Sequence, residues 1–589
     1  MDSICIVHND VVQYPKKETI FRPSVDYPEY IFHGEISKEN NLIYNMVREG
    51  FSLLNLDAEN KETKEWNPLG KFIKPGDYVL IKPNMVLHEN KSGCGVDCLY
   101  TNPSIVAAMI DYILIALKGE GKIVVGDASL QECDFKTLIN QSGYDSLIDY
   151  YKKKKVDIQL VDFRNVKTYE KDGLHYLQEE KGENGIIVKL DNKSAFANLS
   201  REKINNLRIT NYDPRILQKH HDEKVHEYNI TKYVLDADVI INIPKPKTHR
   251  KAGVTISLKN LIGINTNKEF LPHHTLGSKR EGGDAYLQSN ELLDIANKIL
   301  DIKNELIYEK EMSLASEAEK FYSEVFAQGM AKSKEKYWEG SWYGNDTIWR
   351  TILDLNRILM YADKSGKITN QIQRKLFIVG DMIISGEKEG PLEPTPLYPG
   401  VIVMGDDPLK FDRVVCSLMG FDYHDIPTLY NNELLGDFYS ISKCNEVKIL
   451  SNDELWNKKS MDEIREKYSL EFQPTLGWVT KLGNKYRENL YKRLCENGSS
   501  VYIFGAGANG IYAKEELLSH GIKVEAFCDN NLALWGTEII DNIFCVSFNE
   551  LDKNKPFIIA TGDRAVREIA KQINAFNGKV WGVINTIFL

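Results

Sequence analysis

The chain has 589 residues, with 84 acidic against 74 basic side chains and a net charge of −10 at neutral pH. That length calls for about two to four domains rather than one core, and 42% apolar with 27% charged residues is a globular composition. A pI near 5.8 excludes the broad basic face that general nucleic-acid binding needs, but not a local anion pocket.

In chain order, "MDSICIVHND" has an acidic second residue and no basic segment leading into a long apolar run, so no secretory signal is expected and the reading is cytoplasmic. "DYVLIKPN" (77–84) is the first short Val/Ile/Leu run ended by a polar turn. Nine cysteines (5, 94, 98, 133, 416, 444, 495, 528 and 545) are odd in number and irregularly spaced, as expected of reduced thiols. Cys94 and Cys98 sit close together, but no second pair matches them, and they read as loop thiols. "IVAAMIDYILIAL" (105–117) is too short to span a bilayer and carries Asp111, so it predicts a helix buried against a sheet. "GKIVVGDAS" (121–129), "DADVIINIPKPK" (236–247), "KLFIVGDMI" (375–383) and "GVIVMGDDP" (400–408) repeat the pattern of an apolar run followed by a polar turn. Near-continuous apolar strands alternating with helices predict an α/β fold with a mostly parallel sheet covered on both faces, over about 1–430. Residues 145–232 are more polar and read as an insertion, 284–374 as a helical cap, and 431–497 as a linker or helical region.

Residues 498–589 form a separate C-terminal unit in this reading. "SSVYIFGAGANGIYAKEELLSHGIKVEAFCDNN" (499–531) predicts strand, glycine turn, helix and strand. Gly505, Gly507 and Gly510 hold the G-x-G-x-x-G positions, and Asp529 follows 19 residues after Gly510. In a Rossmann-like unit such glycines allow a tight turn and close approach to a phosphate, while the acid bonds a ribose hydroxyl. A nucleotide is therefore the expected ligand, with a purely structural glycine turn as the alternative.

"IPKPKTHRKAGVTISLKNLIG" (243–263) gathers four lysines, an arginine and a histidine without one acid. Pro244 and Pro246 keep the chain extended beyond the strand, so Lys245, Lys247 and His249 are expected to point the same way. They would meet at the carboxyl edge of the sheet, where ligands bind in open α/β folds. Lys82 and Asn84, Asp127, Asp381, and Asp406 with Asp407 end the other strands, and Lys259 and Asn260 close the basic segment. Together they suggest a site for a phosphorylated or carboxylated ligand. For any one of these residues, a solvated lysine or a helix-capping aspartate is the plainer reading. "FLPHHTLGSKREGGDAY" (270–286) adds His273 and His274 before a glycine-rich loop. Acid–base work by His249 or His273 and a divalent metal site combining either with Asp127 or Asp381 both stay open. In "GSWYGNDTIWR" (340–350), Trp342, Tyr343, Asn345 and Asp346 either contact a ligand or pin the loop.

"VLIKPNMV", "TNPSIVAAMIDYI", "KIVVGDAS", "DADVIINIPKPKTHRKAGVTISLKNLIG" and "GVIVMGDDPLKFDRVVCSLMG" together resemble domain-of-unknown-function family 362, over about 77–425. Many members carry a ferredoxin-type cysteine cluster, which this chain lacks. The core is more distantly similar to the amino-terminal domain of nickel-dependent lactate racemase. The C-terminal stretch resembles the Rossmann-like modules of sugar-modifying enzymes in bacterial surface-glycan pathways. The C-terminal resemblance implies an enzyme of capsule or surface polysaccharide biosynthesis, with other enzymes of that pathway as partners. With the anion preference of the basic segment, the expected substrate is a nucleotide-linked or phosphorylated sugar, changed by ligation, group transfer or isomerisation. In that reading Lys82, Lys245 and Lys247 clamp the anion, His249 is the acid–base group, and Asp127 and Asp381 orient lysines or bind a metal. Lys259 is a second anchor or an activated amine. A flavin- or nicotinamide-dependent oxidoreductase and a non-catalytic sugar-nucleotide-binding scaffold are the alternatives.

Overall fold

The computed structural model describes residues 1–10, 13–171, 174–179, 185–333, 337–431, 447–498 and 500–585. Residues 432–446 of the expected linker, Cys444 among them, lie outside these. Eight strands form the main sheet, in the order Lys448–Ser451, Ser3–His8, Val401–Gly405, Lys375–Met382, Val239–Ile243, Tyr78–Pro83, Lys122–Asp127 and Ile158–Asp162. All run parallel except Val401–Gly405, which is antiparallel to both neighbours.

Alternate residues of each central strand enter different cores, because successive side chains of a strand point to opposite faces. Leu80, Val124, Ile240 and Ile378 pack on one face with the helices Ile348–Tyr361 and Pro408–Met419. Val79, Ile81, Ile123, Ile241 and Phe377 pack on the other with Leu42–Leu53 and Pro103–Leu117. The apolar run at 105–117 is thus a helix buried on the sheet, capped at its start by Asn102. Among the described residues no helix is long and apolar enough to cross a membrane. The stretch around 284–374 contributes a helix pair, Glu291–Tyr308 and Met312–Ser333, as well as Ile348–Tyr361.

The antiparallel strand corrects one expectation. Lys375–Met382 runs into a hairpin, Ser385–Glu389 and Glu393–Leu397, and the chain then returns through the sheet. The carboxyl end of Val401–Gly405 therefore lies at the opposite edge, and Asp406 and Asp407 cannot join the other strand ends. Asp407 instead caps Pro408–Met419, accepting from the Leu409 and Lys410 amides at 3.1 and 3.0 Å.

Two central strands leave the main sheet at its carboxyl edge and pair again beyond it. Val239–Ile243 continues into Lys247–His249, and Lys375–Met382 into Ser385–Glu389, with Lys247 opposite Gly386. With Gly253–Thr255 and Glu393–Leu397 they make a four-stranded sheet. This second sheet holds the basic segment over the edge of the first.

Beyond Val501 a six-stranded sheet has its own cores. Its order is Glu538–Ile540, Ile543–Val546, Val524–Cys528, Val501–Phe504, Pro556–Ile559 and Lys579–Val583, parallel except at the Glu538 edge. The strand order reverses between Val501–Phe504 and Pro556–Ile559, and the glycine turn follows Val501–Phe504 at that reversal. Gly505 has φ +115°, and a Cβ there would lie 2.3 Å from the Ala560 carbonyl oxygen. A Cβ on Gly510 would lie 2.0 Å from the Gly505 oxygen, so both positions require glycine, whereas Gly507 faces open space at the start of Ala508–Ser519.

Candidate functional site

The carboxyl edge of the main sheet and the second sheet enclose a cavity of about 180 Å³. Asn84 and Asp127 reach it from the main sheet, and Lys247, His249, Arg250, Lys251 and Thr255 from the basic segment. Lys259, Asn260 and Gly263 follow, with Lys268, His273 and the hairpin residues Pro391 and Leu392 closing it. Seven of the residues expected at the site therefore meet in one place: Asn84, Asp127, Lys247, His249, Lys259, Asn260 and His273.

Four others do not line the cavity. Lys82 has no exposed side-chain surface and pairs with Asp127 at 2.7 Å. Gly263 presses on this pair so closely that a Cβ would stand 1.8 Å from Asp127 Oδ1 and 2.8 Å from Lys82 Nζ. Lys245 turns away from Lys247 and forms a second buried pair, 3.0 Å from Asp381 and 2.6 Å from the Tyr14 hydroxyl. Asp381 also accepts from the Asn102 amide at 2.9 Å, which ties the pair to the start of a core helix. The expectation that Lys245, Lys247 and His249 share one direction fails because Lys245 precedes the second sheet; only Lys247 and His249 lie on its strand. His274 lies on a strand paired to Leu207–Arg208, with its Cβ against Gly340.

A network of hydrogen bonds holds the cavity residues in place. Lys247 Nζ donates to Asn84 Oδ1 at 3.0 Å and to the Leu99 carbonyl. Asn84 donates to Asn260 at 3.2 Å, and Asn260 to Asn242 at 2.7 Å, so the amides form one chain. Lys259 and Asn260 lie on the short helix Ser257–Asn260, whose leading amides are held by Asp412 at 2.9 and 3.0 Å. Burial raises the Asp412 carboxyl to about 7.

Positive charge outweighs negative among the described lining residues, where the one carboxylate, Asp127, is paired with Lys82. Lys251 reaches Glu339, and Lys268 Nζ donates to the Ala128 carbonyl at 2.9 Å. Lys247 has only neutral acceptors, and the Arg250 guanidinium and the Lys259 amine have no hydrogen-bond or ion-pair partner among the described residues. Desolvation pulls Lys247 down to about 7, with Lys245 and Lys259 adding repulsion. It pulls Lys259 down to about 7 as well, helped by Lys268. Lys251 and Lys268 fall to about 8 for the same primary reason. Such amines regain their protons when an anion replaces the lost water.

The two cavity histidines are fixed in opposite tautomers. His249 Nδ1 accepts from the Lys251 and Ala252 amides at 3.0 and 3.2 Å, so its proton sits on Nε2. His273 Nδ1 donates to the Leu271 carbonyl at 2.6 Å, which leaves its Nε2 as a bare acceptor. Burial and the surrounding cations keep both rings neutral, His249 well below its usual range and His273 at about 3. His249 thus offers a hydrogen bond and His273 offers a lone pair. Among the described residues, no group of three or more His, Cys, Asp or Glu side chains is disposed to hold a metal ion.

Sequence reasoning missed Arg250, Lys251 and Lys268 as lining residues and Asp412 as the anchor of Lys259. Arg250 and Lys251 lay in the quoted basic segment; Asp412 carried no local signal. The 340–350 loop is pinned: Trp342 is fully buried and donates to the Asp284 carbonyl at 2.8 Å, and Asn345 bonds the His273 and Gly340 carbonyls. In the C-terminal unit Asp529 is spent on the glycine turn, accepting from the Ala506 amide at 3.0 Å.

The chain thus combines a doubly covered, mostly parallel α/β sheet with a lysine-rich cavity over its carboxyl edge. The chain belongs to the family described as domain of unknown function (DUF362), which matches residues 79–181 and 188–417, more than half of its length. Every cavity-lining residue falls within those ranges. The thylakoid-associated protein sll1697 of Synechocystis sp. (strain ATCC 27184 / PCC 6803 / Kazusa) is similar at 27% identity over 200 residues, 34% of this chain and 43% of that protein. The chain thus spans less than half the length of this curated relative. No solved structure matches the chain.

Proposed function

We propose that the chain is an enzyme acting on a small phosphorylated or carboxylated substrate, a phosphosugar in the fullest form of this reading. The observation that carries it is the cavity, where Lys247, Arg250 and Lys259 form no ion pair with the described residues and both histidines present directed hydrogen-bonding groups. A volume of about 180 Å³ suits an anionic head and a few further atoms, below the ~300 Å³ at which drug-sized ligand sites begin. A nucleotide would sit elsewhere, and the glycine turn at the reversal of strand order in the C-terminal unit is where such folds bind one. Assignment to surface-glycan biosynthesis rests on the resemblance of that unit's sequence.

The test is ligand binding followed by turnover. Calorimetry with inorganic sulfate should show one site in the native protein, weakened at least tenfold in Lys247→Met and in Arg250→Met. A panel of sugar phosphates, followed by NMR, should then contain a compound consumed by the native protein and untouched by His249→Phe. Unchanged sulfate affinity in both lysine and arginine variants would remove the cavity from consideration.

A further inference from the structure

We infer that Lys259 is an imine-forming nucleophile, and that the anionic substrate therefore carries a ketone or aldehyde. This rests on the anion-cavity reading and narrows its substrate class.

Five lysines cluster at this edge besides Lys259, and each has a partner that occupies its amine. Lys82 and Lys245 face Asp127 and Asp381. Lys251 faces Glu339, Lys247 is held by Asn84 and Leu99, and Lys268 by Ala128. Lys259 alone among them forms neither a hydrogen bond nor an ion pair with the described residues, yet its position is fixed. Asp412 clamps the first two amides of its helix, and Asn356 donates to the Leu258 carbonyl at 2.9 Å. A rigid backbone carrying an unpartnered amine into a cationic cavity is an arrangement that costs stability, and stability is commonly surrendered where function requires it. An anchor for an anion does not need a free base; a nucleophile does. Near neutral pH desolvation and Lys268 leave about half of this amine in that form, and with the anionic group held on Lys247 and Arg250 it is the carbonyl, not the anion, that faces it.

The two histidines have the protonation states that carbonyl addition needs. Both line the cavity with Lys259, and both feel its charge. The Nζ lone pair attacks the carbonyl carbon, a C–N bond forms, and the C=O π pair moves to oxygen. His249 Nε2–H hydrogen-bonds to that oxygen, while His273 Nε2 takes one proton from the nitrogen and returns it to the oxygen. The carbinolamine then loses its C–O bond, and the departing hydroxide takes the second nitrogen proton. Carbonyl oxygen and both amine hydrogens leave as water, C=N replaces C=O, and nothing is oxidised or reduced. Lys247 and Arg250 hold the anionic group meanwhile.

Incubation of the whole chain with dihydroxyacetone phosphate, or with glyoxylate, and cyanoborohydride should trap the imine as a secondary amine. Peptide mass spectrometry should place close to one adduct per chain on Lys259, at probe levels where acetone gives none, and sulfate should suppress it. Lys259→Arg and Lys259→Gln should lose the adduct, while a thermal shift on adding sulfate reports that the cavity persists. Binding of sulfate without a Lys259 adduct from either probe overturns the imine and leaves the anion site standing. An adduct spread evenly over surface lysines, or unaffected by sulfate, does the same. If sulfate does not bind the native protein at all, the anion-site reading falls first, and the imine with it.

Discussion

Binding an anion of fixed charge should draw protons into the protein. Lys247 and Lys259 both sit at about 7 rather than 10.5, because burial removes the water that would solvate their charge. At pH 8 each is then roughly one-tenth protonated in the empty cavity. Sulfate placed among them restores the reason to be charged, so both amines return to near-complete protonation. The sign follows: the bound state holds more protons than the free state, so affinity is highest below pH 7 and falls as pH rises. From these two amines the uptake is roughly 1.8 protons per sulfate at pH 8 and roughly 0.2 at pH 6. Lys251 and Lys268, at about 8, add up to roughly one more at pH 8, and affinity falls as pH rises over this range. Calorimetry in Tris and in HEPES, whose ionisation enthalpies differ, measures the uptake directly from the change in apparent binding enthalpy. Sulfate keeps one charge state over this range, so no correction for the ligand intrudes. Lys247→Met and Lys259→Met should each remove about one proton of uptake at pH 8. Tight sulfate binding with no buffer dependence at pH 8 would mean that the amines are already charged, and the account of a desolvated cavity would be wrong.

Asp381 and Lys245 belong to the scaffold, so Asp381→Ala should cost about 3–5 kcal/mol by stranding a buried ammonium, seen as a lower urea midpoint, with sulfate affinity retained in the folded fraction. Loss of sulfate affinity in a variant that is still folded would bring Asp381 back into the site. Gly263→Ala should cost roughly 3 kcal/mol or more, because its methyl meets the buried Lys82–Asp127 pair; thermal stability equal to the native protein would refute that crowding. In the C-terminal unit, Gly510→Ala should be destabilising by about 1–3 kcal/mol while Gly507→Ala is nearly neutral, and equal unfolding midpoints for the two would contradict the packing described.

The architecture was readable because each central strand is a short Val/Ile/Leu run, and a strand wet on one face would have alternated. The basic segment was visible for a simple reason too: nine residues from Ile243 to Lys251 hold two prolines, three lysines, an arginine and a histidine. Those features are local, and composition along a few residues records them. Strand direction is not local. "VIVMGDD" reads the same whether it runs with or against its neighbours, so only the return of the chain through the Ser385–Leu397 hairpin put Asp406 and Asp407 at the far edge.

Sequence by itself determined that cations would collect beyond a buried strand; it could not assign each one a partner. Lys245 and Lys247 are two residues apart and chemically identical, yet the first is neutralised by Asp381 and the second opens on the cavity. Arg250, Lys251 and Lys268 enter the cavity only through the path of the second sheet and the turn beyond it. The histidine tautomers depend on backbone groups that no side-chain pattern encodes. Charge is written into the residues, but which charges remain uncompensated is a property of distances between segments far apart in the chain, as Lys245 and Asp381 are, and only folding sets those.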